Sequence, residues 1–402
     1  MQTAQSPTRA LRYRALLWLL PFILLALGGQ SSPVVQSQST ALRQPVKFQA
    51  IEPGIEWAQF NAGQASNDDR TGPWFINALR IDPARARLKI VHARDEGVGL
   101  EAVSSIATRH RAAAATNGGY FRVLGTYRGE SIGLLILNHK LISEPHNNRE
   151  AFGLIERGNT TDLVFGHLKF FGEISAGRLK HAVDGVNRPL AADELVVFTP
   201  EFHSTTLTGA DVIEVVVNRN RVTAIHDLQG NATIPAGGFV IAAVGKSREW
   251  LKQNLRQGSP VKFLWRLNPV EIDRAEKWRR ADSILGGGPQ LIRNGRVEIT
   301  NTQEKIVAAF VNDGHPRTAI ARLSSGKILL ITIDGRRAGE SIGMSLTTLA
   351  NLLLELGAVE AMNLDGGGST TMVIHNQVVN HPSDPTGARP VGDAILVFPR
   401  RH

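Results

Sequence analysis

The segment Asp365-Gly366-Gly367-Gly368-Ser369-Thr370 places a carboxylate in front of three consecutive glycines, directly after an apolar run at residues 359–364. The run is typical of a strand, so Asp365 is expected at a strand end. Glycines let backbone N–H groups approach a ligand closely, and successive N–H groups form a concave site for anions. The segment therefore predicts a site for a phosphorylated ligand, with a tight turn and a capping Asp as the alternative.

Two further glycine clusters share one pattern with this segment, in which an apolar run with an Asn-centred turn follows the glycines. A strand, an Asn turn and a second strand form a hairpin. A glycine loop followed by a hairpin is therefore expected three times, through internal duplication or chance similarity. Asn117-Gly118-Gly119 precedes the turn at Asn138, Gly286-Gly287-Gly288 precedes that at Asn294, and the Asp365 segment precedes that at Asn376.

Arginines occur at the ends of two predicted strands. Arg317 opens the first strand, Arg336 follows the second, and Ser324-Ser325-Gly326 is a short hairpin turn between them. The pairing is expected to bring Arg317 and Arg336 to one end of the sheet, and Arg389 adds a third candidate. Because a guanidinium fork matches phosphate oxygens, these arginines are predicted phosphate ligands; solvated surface charges are the alternative.

Asp334 and Asp365 are the candidate catalytic carboxylates. They could share a divalent cation, although the sequence does not require a cofactor. A metal-ligand run such as H-E-x-x-H does not occur, and the chain has no Cys, which excludes disulfides, thiolate metal sites and cysteine nucleophiles.

The pentapeptide Gly-Glu-Ser-Ile-Gly occurs at residues 129–133 and 339–343 and fits the G-x-S-x-G pattern of serine hydrolases. That pattern needs the Ser on a sharp turn that joins a strand directly to a helix. Residues 334–338 intervene between the predicted strand and the second pentapeptide. We therefore interpret Ser341 as a loop or capping residue, and a serine esterase is kept as an alternative hypothesis.

The N-terminus has the pattern of an export signal. Arg9, Arg12 and Arg14 precede the apolar residues 15–26, and two glycines follow. We predict a signal peptide at 1–30, with an uncleaved signal anchor as the alternative, and a flexible linker at 31–45. Exported localisation and no stable membrane span after signal removal are expected.

The composition of the 402-residue chain is that of a globular protein, with 42% hydrophobic and 20% charged residues. The net charge is +9, and three of the contributing arginines lie in the predicted signal peptide. No dense basic block occurs, so a nucleic-acid partner is not expected.

Short apolar or alternating runs predict a β-rich α+β fold, with a mixed sheet, packed helices and an inserted β-rich subdomain. Helices are predicted at residues 100–110 and 346–356. We predict a first domain part at 46–198, the inserted subdomain at 199–270 and the second domain part at 271–398. The predicted strands are 86–91, 112–116, 134–137, 211–217, 261–265, 319–323, 328–333 and 392–397.

The ordered motifs 116–121, 285–289, 315–318, 334–336 and 363–371 together resemble the phosphodiester glycosidase family. The resemblance covers roughly residues 100–398, except for 199–270. It implies hydrolysis at a sugar-1-phosphodiester, with release of the sugar from a phosphomonoester. It also implies that Asp365 and Asp334 are catalytic. The implied phosphate and substrate contacts are Asn117, Gly118, Gly119, Arg317, Thr318, Arg336, Gly366, Gly367, Gly368, Ser369, Thr370 and Arg389.

We therefore expect an exported hydrolase that acts on an N-acetylglucosamine-1-phosphodiester-like group of an envelope or extracellular glycan. Its partner would be that phosphorylated glycan or sugar-1-phosphodiester. The alternative is an exported protein of polysaccharide biogenesis that binds phosphoglycans without catalysis.

Overall fold

The computed structural model describes residues 42, 44–64 and 71–400, and the structural statements below concern these residues. The first strands are β1 (Gln49–Glu52), β2 (Ile55–Ala62), β3 (Trp74–Ile81), β4 (Ala86–His92), β5 (Ala114–Asn117), β6 (Leu135–Leu137), β7 (Lys140–Ser143), β8 (Glu150–Arg157), β9 (Thr160–Ala176), β10 (Leu179–Val183), β11 (Gly185–Val186) and β12 (Leu195–Phe198). The later strands are β13 (Ile213–Asn218), β14 (Arg221–Asp227), β15 (Gly238–Ala243), β16 (Lys262–Pro269), β17 (Ser283–Gly286), β18 (Gln290–Arg293), β19 (Arg296–Val297), β20 (Arg317–Leu323), β21 (Ile328–Ile333), β22 (Ala358–Asn363), β23 (Met372–Ile374), β24 (Gln377–Val378) and β25 (Asp393–Pro399). The helices are α1 (Val103–His110), α2 (Gly245–Asn254), α3 (Ala275–Arg279), α4 (Ala308–Asn312) and α5 (Leu346–Glu355).

The strands form four sheets, in which the pairing is antiparallel except between β11 and β12. The β-rich fold with several helices agrees with the predicted α+β class, and each predicted strand and helix has its counterpart in the structure. The strand orders are β1-β2-β3-β21-β20-β22-β18-β19, then β10-β9-β8-β17-β6-β7 with β16 beside β9, then β11-β12-β15-β13-β14, and finally β24-β23-β5-β25-β4.

The three predicted Asn hairpins are confirmed. They join β6 to β7, β18 to β19 and β23 to β24. Asn138, Asn294 and Asn376 take the left-handed conformation, with φ of 50°, 50° and 65°. Asn tolerates this conformation better than other side chains with a Cβ, which explains its place at each turn.

Helix α5 is apolar on most sides because it packs against the eight-stranded sheet. Leu346, Leu349 and Leu353 are buried with Ile331 of β21 in one core cluster. The Ser345 hydroxyl caps the helix by accepting the Thr348 N–H at 3.2 Å. This packing fixes the neighbouring ends of β20 and β22, where the candidate site lies.

A second core fills the space where three sheets meet. Buried side chains from β4, β8, β20 and β22 contribute to one cluster, including Phe152, Ile320 and Met362. β5, β17 and β22 converge around this cluster, and their C-terminal ends carry the three glycine segments.

The region predicted as an inserted subdomain contains β13, β14 and β15, three of the five strands of the sheet β11-β12-β15-β13-β14. Ile213, Val215 and Ile241 of this sheet share a core with Leu168 and Ile174 of β9. β16 follows β15 in the chain but pairs with β9, in another sheet. The segment is thus packed into the rest of the fold, and the boundaries at 199 and 270 stay a prediction.

The predicted signal peptide at 1–30 and most of the linker at 31–45 lie outside the described residues. Among the residues that the structure describes, no helix has the length and apolar character needed to cross a membrane.

Candidate functional site

The three glycine segments, far apart in the chain, meet at one place. The Asp365 N–H donates to the Gly118 carbonyl at 3.0 Å. A Cβ added to Gly119 would lie 2.6 Å from the Gly286 carbonyl oxygen, so only glycine permits this approach. These segments, called the glycine loops here, are residues 117–119, 286–289 and 365–370.

The Asn117 side chain joins the first and third glycine loops to β20. Its Nδ2 donates to the Asp365 carbonyl at 2.7 Å. Its Oδ1 accepts the Thr318 hydroxyl at 2.8 Å and the Thr371 N–H at 3.1 Å. Asn117 and Thr318 are both buried, so in the structure they hold the walls of the site together. Their predicted role as substrate contacts remains a prediction.

Asp365 lies half-buried at the centre of this arrangement. Burial raises the pKa of its carboxyl to about 6, although the Ser369 hydroxyl, the Gly366 N–H and the cations of Arg389 and Arg149 oppose the rise. The Gly366 N–H donates to Asp365 Oδ1 at 2.9 Å. A carboxyl with this pKa is mostly ionised at neutral pH and can accept a proton there.

Arg336 and Gly367 lie side by side at the exposed rim. Arg336 is exposed, and its Nη1 donates to the Ser383 hydroxyl at 3.4 Å. A Cβ on Gly367 would stand 3.2 Å from Arg336 Nη2. The guanidinium thus lies against the third glycine loop, as a phosphate ligand would require.

Arg389 lies on the other side of the same loop. Its Nε and Nη2 donate to the two oxygens of Asp384 at 2.7 and 3.0 Å. A Cβ on Gly368 would overlap both partners of this ion pair. The carboxylate compensates part of the charge of Arg389, which makes Arg336 the less compensated of the two cations.

Two residues of the site were not assigned from the sequence, Tyr120 and Arg149. The Arg149 guanidinium carbon lies 4.7 Å from the centre of the Tyr120 ring. The Tyr120 hydroxyl donates to the Gly288 carbonyl at 2.7 Å and accepts from Asn363 Nδ2 at 3.0 Å. Burial raises the pKa of Tyr120, with Asp365 adding to the rise. Tyr120 follows the first glycine pair directly, which is the signal that could have identified it.

Asp393 is a further carboxylate that the sequence pattern did not indicate. Its Oδ1 accepts the Gly119 N–H at 2.6 Å and occupies the space that a Cβ on Gly118 would need. Asp393 is fully buried, and its Oδ2 has no hydrogen-bond partner among the described residues. Burial raises the pKa of Asp393 to about 7, and the charge of Asp365 adds to the rise.

Arg317 does not point into the site in the way that the sequence predicted. Its side chain is 1% exposed. Nε donates to the Met344 carbonyl at 2.8 Å, and Nη2 donates to the carbonyls of Phe310 and Asp313 at 2.7 and 2.9 Å. Burial lowers its pKa to about 10. The backbone of a neighbouring loop uses these donors, so Arg317 positions that loop.

Asp334 is likewise buried, with 1% exposure. Its Oδ1 accepts from Asn380 Nδ2 at 2.9 Å, and its Oδ2 accepts the His381 N–H at 2.7 Å. Burial raises its pKa against these hydrogen bonds. The carboxylate is occupied in fixing residues 380–381, which argues against direct contact with a substrate.

The third glycine loop was predicted to present successive backbone N–H groups to an anion. Those N–H groups whose partners the structure describes already donate hydrogen bonds within the protein. The Gly366 N–H donates to Asp365, and the Gly367 N–H donates to a carbonyl outside the loop. The N–H groups of Ser369 and Thr370 donate back to the loop itself. The Thr370 hydroxyl is buried without a described hydrogen-bond partner, whereas the Ser369 hydroxyl acts on the Asp365 carboxyl. Arginine side chains therefore supply the positive charge of the site.

The second Gly-Glu-Ser-Ile-Gly segment does not fit the serine hydrolase hypothesis. Ser341 is fully buried. Its hydroxyl donates to the Asp334 carbonyl at 2.6 Å and accepts the Phe75 N–H at 2.9 Å. Ser341 joins two chain segments, as the loop interpretation predicted.

Among the described residues, no three His, Asp or Glu side chains are grouped so that they could hold a metal ion. Asp334 and Asp365, the pair considered for a divalent cation, belong to no such group.

Comparisons with known proteins agree with the resemblance to the phosphodiester glycosidase family over part of the chain. Residues 211–398 match the model of the phosphodiester glycosidase family. N-acetylglucosamine-1-phosphodiester alpha-N-acetylglucosaminidase of Homo sapiens is 38% identical over 110 residues, which cover 25% of this chain and 21% of the human protein. The Bos taurus enzyme is 36% identical over 110 residues, which cover 25% of this chain and 20% of that protein. The match thus spans about a fifth of the length of these relatives.

Two solved structures share the fold over most of the chain. A Synechocystis protein has a TM-score of 0.75 and 27% identity, and the match covers 89% of this chain and 64% of that one. A protein of Burkholderia pseudomallei K96243 has a TM-score of 0.76 and 22% identity, with 88% and 96% covered.

The family match includes residues 211–270, which the resemblance in the motifs had left out, but it begins at residue 211 and so does not cover the motif at 116–121. It leaves out Asn117, although this residue contacts Asp365 directly. Residues 211–398 thus match the phosphodiester glycosidase family, and the resemblance that the motifs indicated is confirmed.

Proposed function

We propose that this protein hydrolyses the glycosidic bond of a sugar-1-phosphodiester and releases the free sugar and a phosphomonoester. The observation that carries the proposal is Asp365, a carboxyl with a pKa of about 6, lying between the glycine loops and influenced by the cations of Arg389 and Arg149. Arg336 extends the cationic rim along the third glycine loop.

The positive rim suits the change of charge in this reaction. Water attacks the anomeric carbon, the bond from that carbon to the phosphate oxygen breaks, and the electron pair stays on the phosphate. The phosphodiester carries one negative charge, whereas the leaving phosphomonoester approaches two. Cations at the rim therefore stabilise the transition state more than the bound substrate, which is the condition for catalysis.

Asp365 is the proposed general base or nucleophile. As a base it takes a proton from the attacking water; as a nucleophile it bonds to the anomeric carbon and water later displaces it. Glycosidases commonly use a second carboxyl as the acid. A phosphomonoester leaves readily without full protonation, so the buried state of Asp334 does not contradict the proposal.

The same burial of Asp334 favours a second candidate function. Of the two predicted catalytic carboxylates, Asp365 is half-buried and Asp334 is fully buried, so one accessible carboxylate is left and the site could bind a phosphoglycan without cleaving it. Binding without release of sugar distinguishes this alternative.

The substrate class and the location are part of the proposal. An N-acetylglucosamine-1-phosphodiester-like group is favoured because the curated relatives act on that bond, as their name states. Export to an envelope or extracellular glycan follows from the N-terminal pattern at residues 1–30.

The test is release of free sugar from a panel of sugar-1-phosphodiesters that includes UDP-N-acetylglucosamine, with and without a chelator. The wild type is compared with Asp365→Ala. The matched control is Asp211→Ala, which changes an exposed aspartate distant from Asp365 in the sequence. Release that Asp365→Ala abolishes and Asp211→Ala retains supports the proposal. Turnover that persists in a folded Asp365→Ala protein would refute the role of this carboxyl.

A further inference from the structure

A groove with a volume of about 990 Å³ lies among residues 130–133, 143–148 and 168–171 and the loop around Arg188. We call it the side groove. Its volume is at the upper end of the range for ligand pockets, which leaves room for more than one sugar unit. It includes the first Gly-Glu-Ser-Ile-Gly segment, to which the proposed reaction gives no role.

The side groove adjoins the candidate site through two backbone hydrogen bonds. The Ile132 N–H donates to the Tyr120 carbonyl at 2.7 Å. The Arg149 N–H donates to the His146 carbonyl at 3.0 Å and closes a turn. Ile132 and His146 line the groove, whereas Tyr120 and Arg149 belong to the site. The groove and the site are therefore neighbours on the protein.

The arginines of the groove are already paired with carboxylates. Arg188 donates to Glu144 at 2.6 Å and to Glu194 at 2.6 Å, and Arg122 donates to Glu130 at 2.8 Å. The charge of these groups is compensated, in contrast to the rim at Arg336. Lys169 and Asp184 add one charge of each sign to the lining, so the groove has no excess of cations for a second phosphate. The groove therefore favours a ligand without charge.

Aromatic and polar groups lie together in the groove. Phe171 is 45% exposed, with the Arg266 guanidinium carbon 5.0 Å from the centre of its ring, and the half-buried Phe170 packs against the neighbouring core. Asn147 and Asn148 provide amide donors and acceptors at the rim. Apolar rings beside hydrogen-bonding groups match the face and the hydroxyls of a sugar ring.

We infer that the side groove binds uncharged sugar units of a glycan chain whose phosphodiester lies at Asp365. The placement of the phosphodiester rests on the proposed function, whereas the binding of sugar units by the groove can be measured without turnover. The substrate would then be a phosphoglycan of several units rather than a small diester.

The test uses the full chain and four uncharged probes in titration calorimetry, namely chitotetraose, cellotetraose, maltotetraose and N-acetylglucosamine. At least one tetrasaccharide is expected to bind more tightly than the monosaccharide. Phe171→Ala and His146→Ala are expected to weaken that binding about tenfold, as removal of a buried ring contact does. Leu264→Ala removes an exposed apolar side chain from the neighbouring β16, outside the groove, and should leave binding unchanged.

The inference would be overturned if none of the tetrasaccharides binds, or if the wild type and both groove variants bind equally well. Sugar release from a single-sugar diester is measured in parallel, and Leu264→Ala should retain it. Turnover without tetrasaccharide binding refutes the groove and leaves the proposed function standing. Groove-dependent binding without turnover of any diester supports the groove and refutes the proposed hydrolysis.

Discussion

Replacement of Asp393 by Asn should stabilise the protein increasingly as the pH rises from 5 to 7. The carboxyl has a pKa of about 7 in the folded protein, against an ordinary value of 3.8. A raised carboxyl pKa means that the folded state binds more protons than the unfolded state between these two values. Folding therefore loses stability as the pH rises through this window, by about 1.36 kcal/mol for each pH unit.

The slope decreases near pH 7, where Asp393 is half ionised, so the expected loss between pH 5 and pH 7 is about 2.3 kcal/mol. Asn cannot ionise, so the variant escapes this loss, while its side-chain oxygen can still accept the Gly119 N–H. The difference in unfolding free energy between variant and wild type should thus move in favour of the variant by about 2.3 kcal/mol.

The assay is urea unfolding of both proteins at pH 5, 6 and 7, with Asp211→Asn as an exposed control. Comparing each variant with the wild type cancels the titration of the other groups. A difference that stays constant across the three pH values would refute the buried, mostly protonated state of Asp393. Parallel curves for Asp211→Asn and a diverging curve for Asp393→Asn would support it.

Three further predictions concern the site. The rate of sugar release should fall on the acid side of about pH 6, because Asp365 acts ionised and its pKa is about 6; a pH–rate profile that is flat from pH 5 to 8 would contradict this. Arg336→Ala should lower kcat/KM about 10- to 100-fold, since a charge that stabilises the leaving phosphate is lost. Arg337→Ala breaks an exposed ion pair with Glu340 and should change kcat/KM little. Equal losses of kcat/KM in the two variants would argue against a role of Arg336 in binding the phosphate. Ser341→Ala should lower the midpoint of thermal unfolding but retain turnover, and inactivity of a folded variant would revive the esterase hypothesis.

The sequence predicted the elements of this fold well because their signals are local. The apolar runs at 328–333 and 346–356 correspond to β21 and α5 within one residue. The Asn turns could be predicted because left-handed backbone favours particular residue types at one position. The meeting of the three glycine loops was not predicted, because it depends on how three different sheets pack together.

The direction of individual side chains could not be predicted in the same way. Arg317 was expected to face a phosphate, yet three backbone carbonyls from residues 310–344 take its hydrogen bonds. Which carbonyls come near a guanidinium depends on the packing of α4 and α5, and the sequence around Arg317 does not encode that packing. Arg149 and Asp393 join the site from segments about 250 residues apart, without a shared motif.

The buried amide of Asn117 has a consequence for how the site moves. Because one side chain bonds Asp365, Thr318 and Thr371 together, the walls cannot swing open one at a time. Backbone protons at Asp365 and Thr371 should exchange with deuterated water only when the whole molecule unfolds. A substrate thus meets a cleft whose shape was set during folding, and little conformational freedom is left to lose on binding.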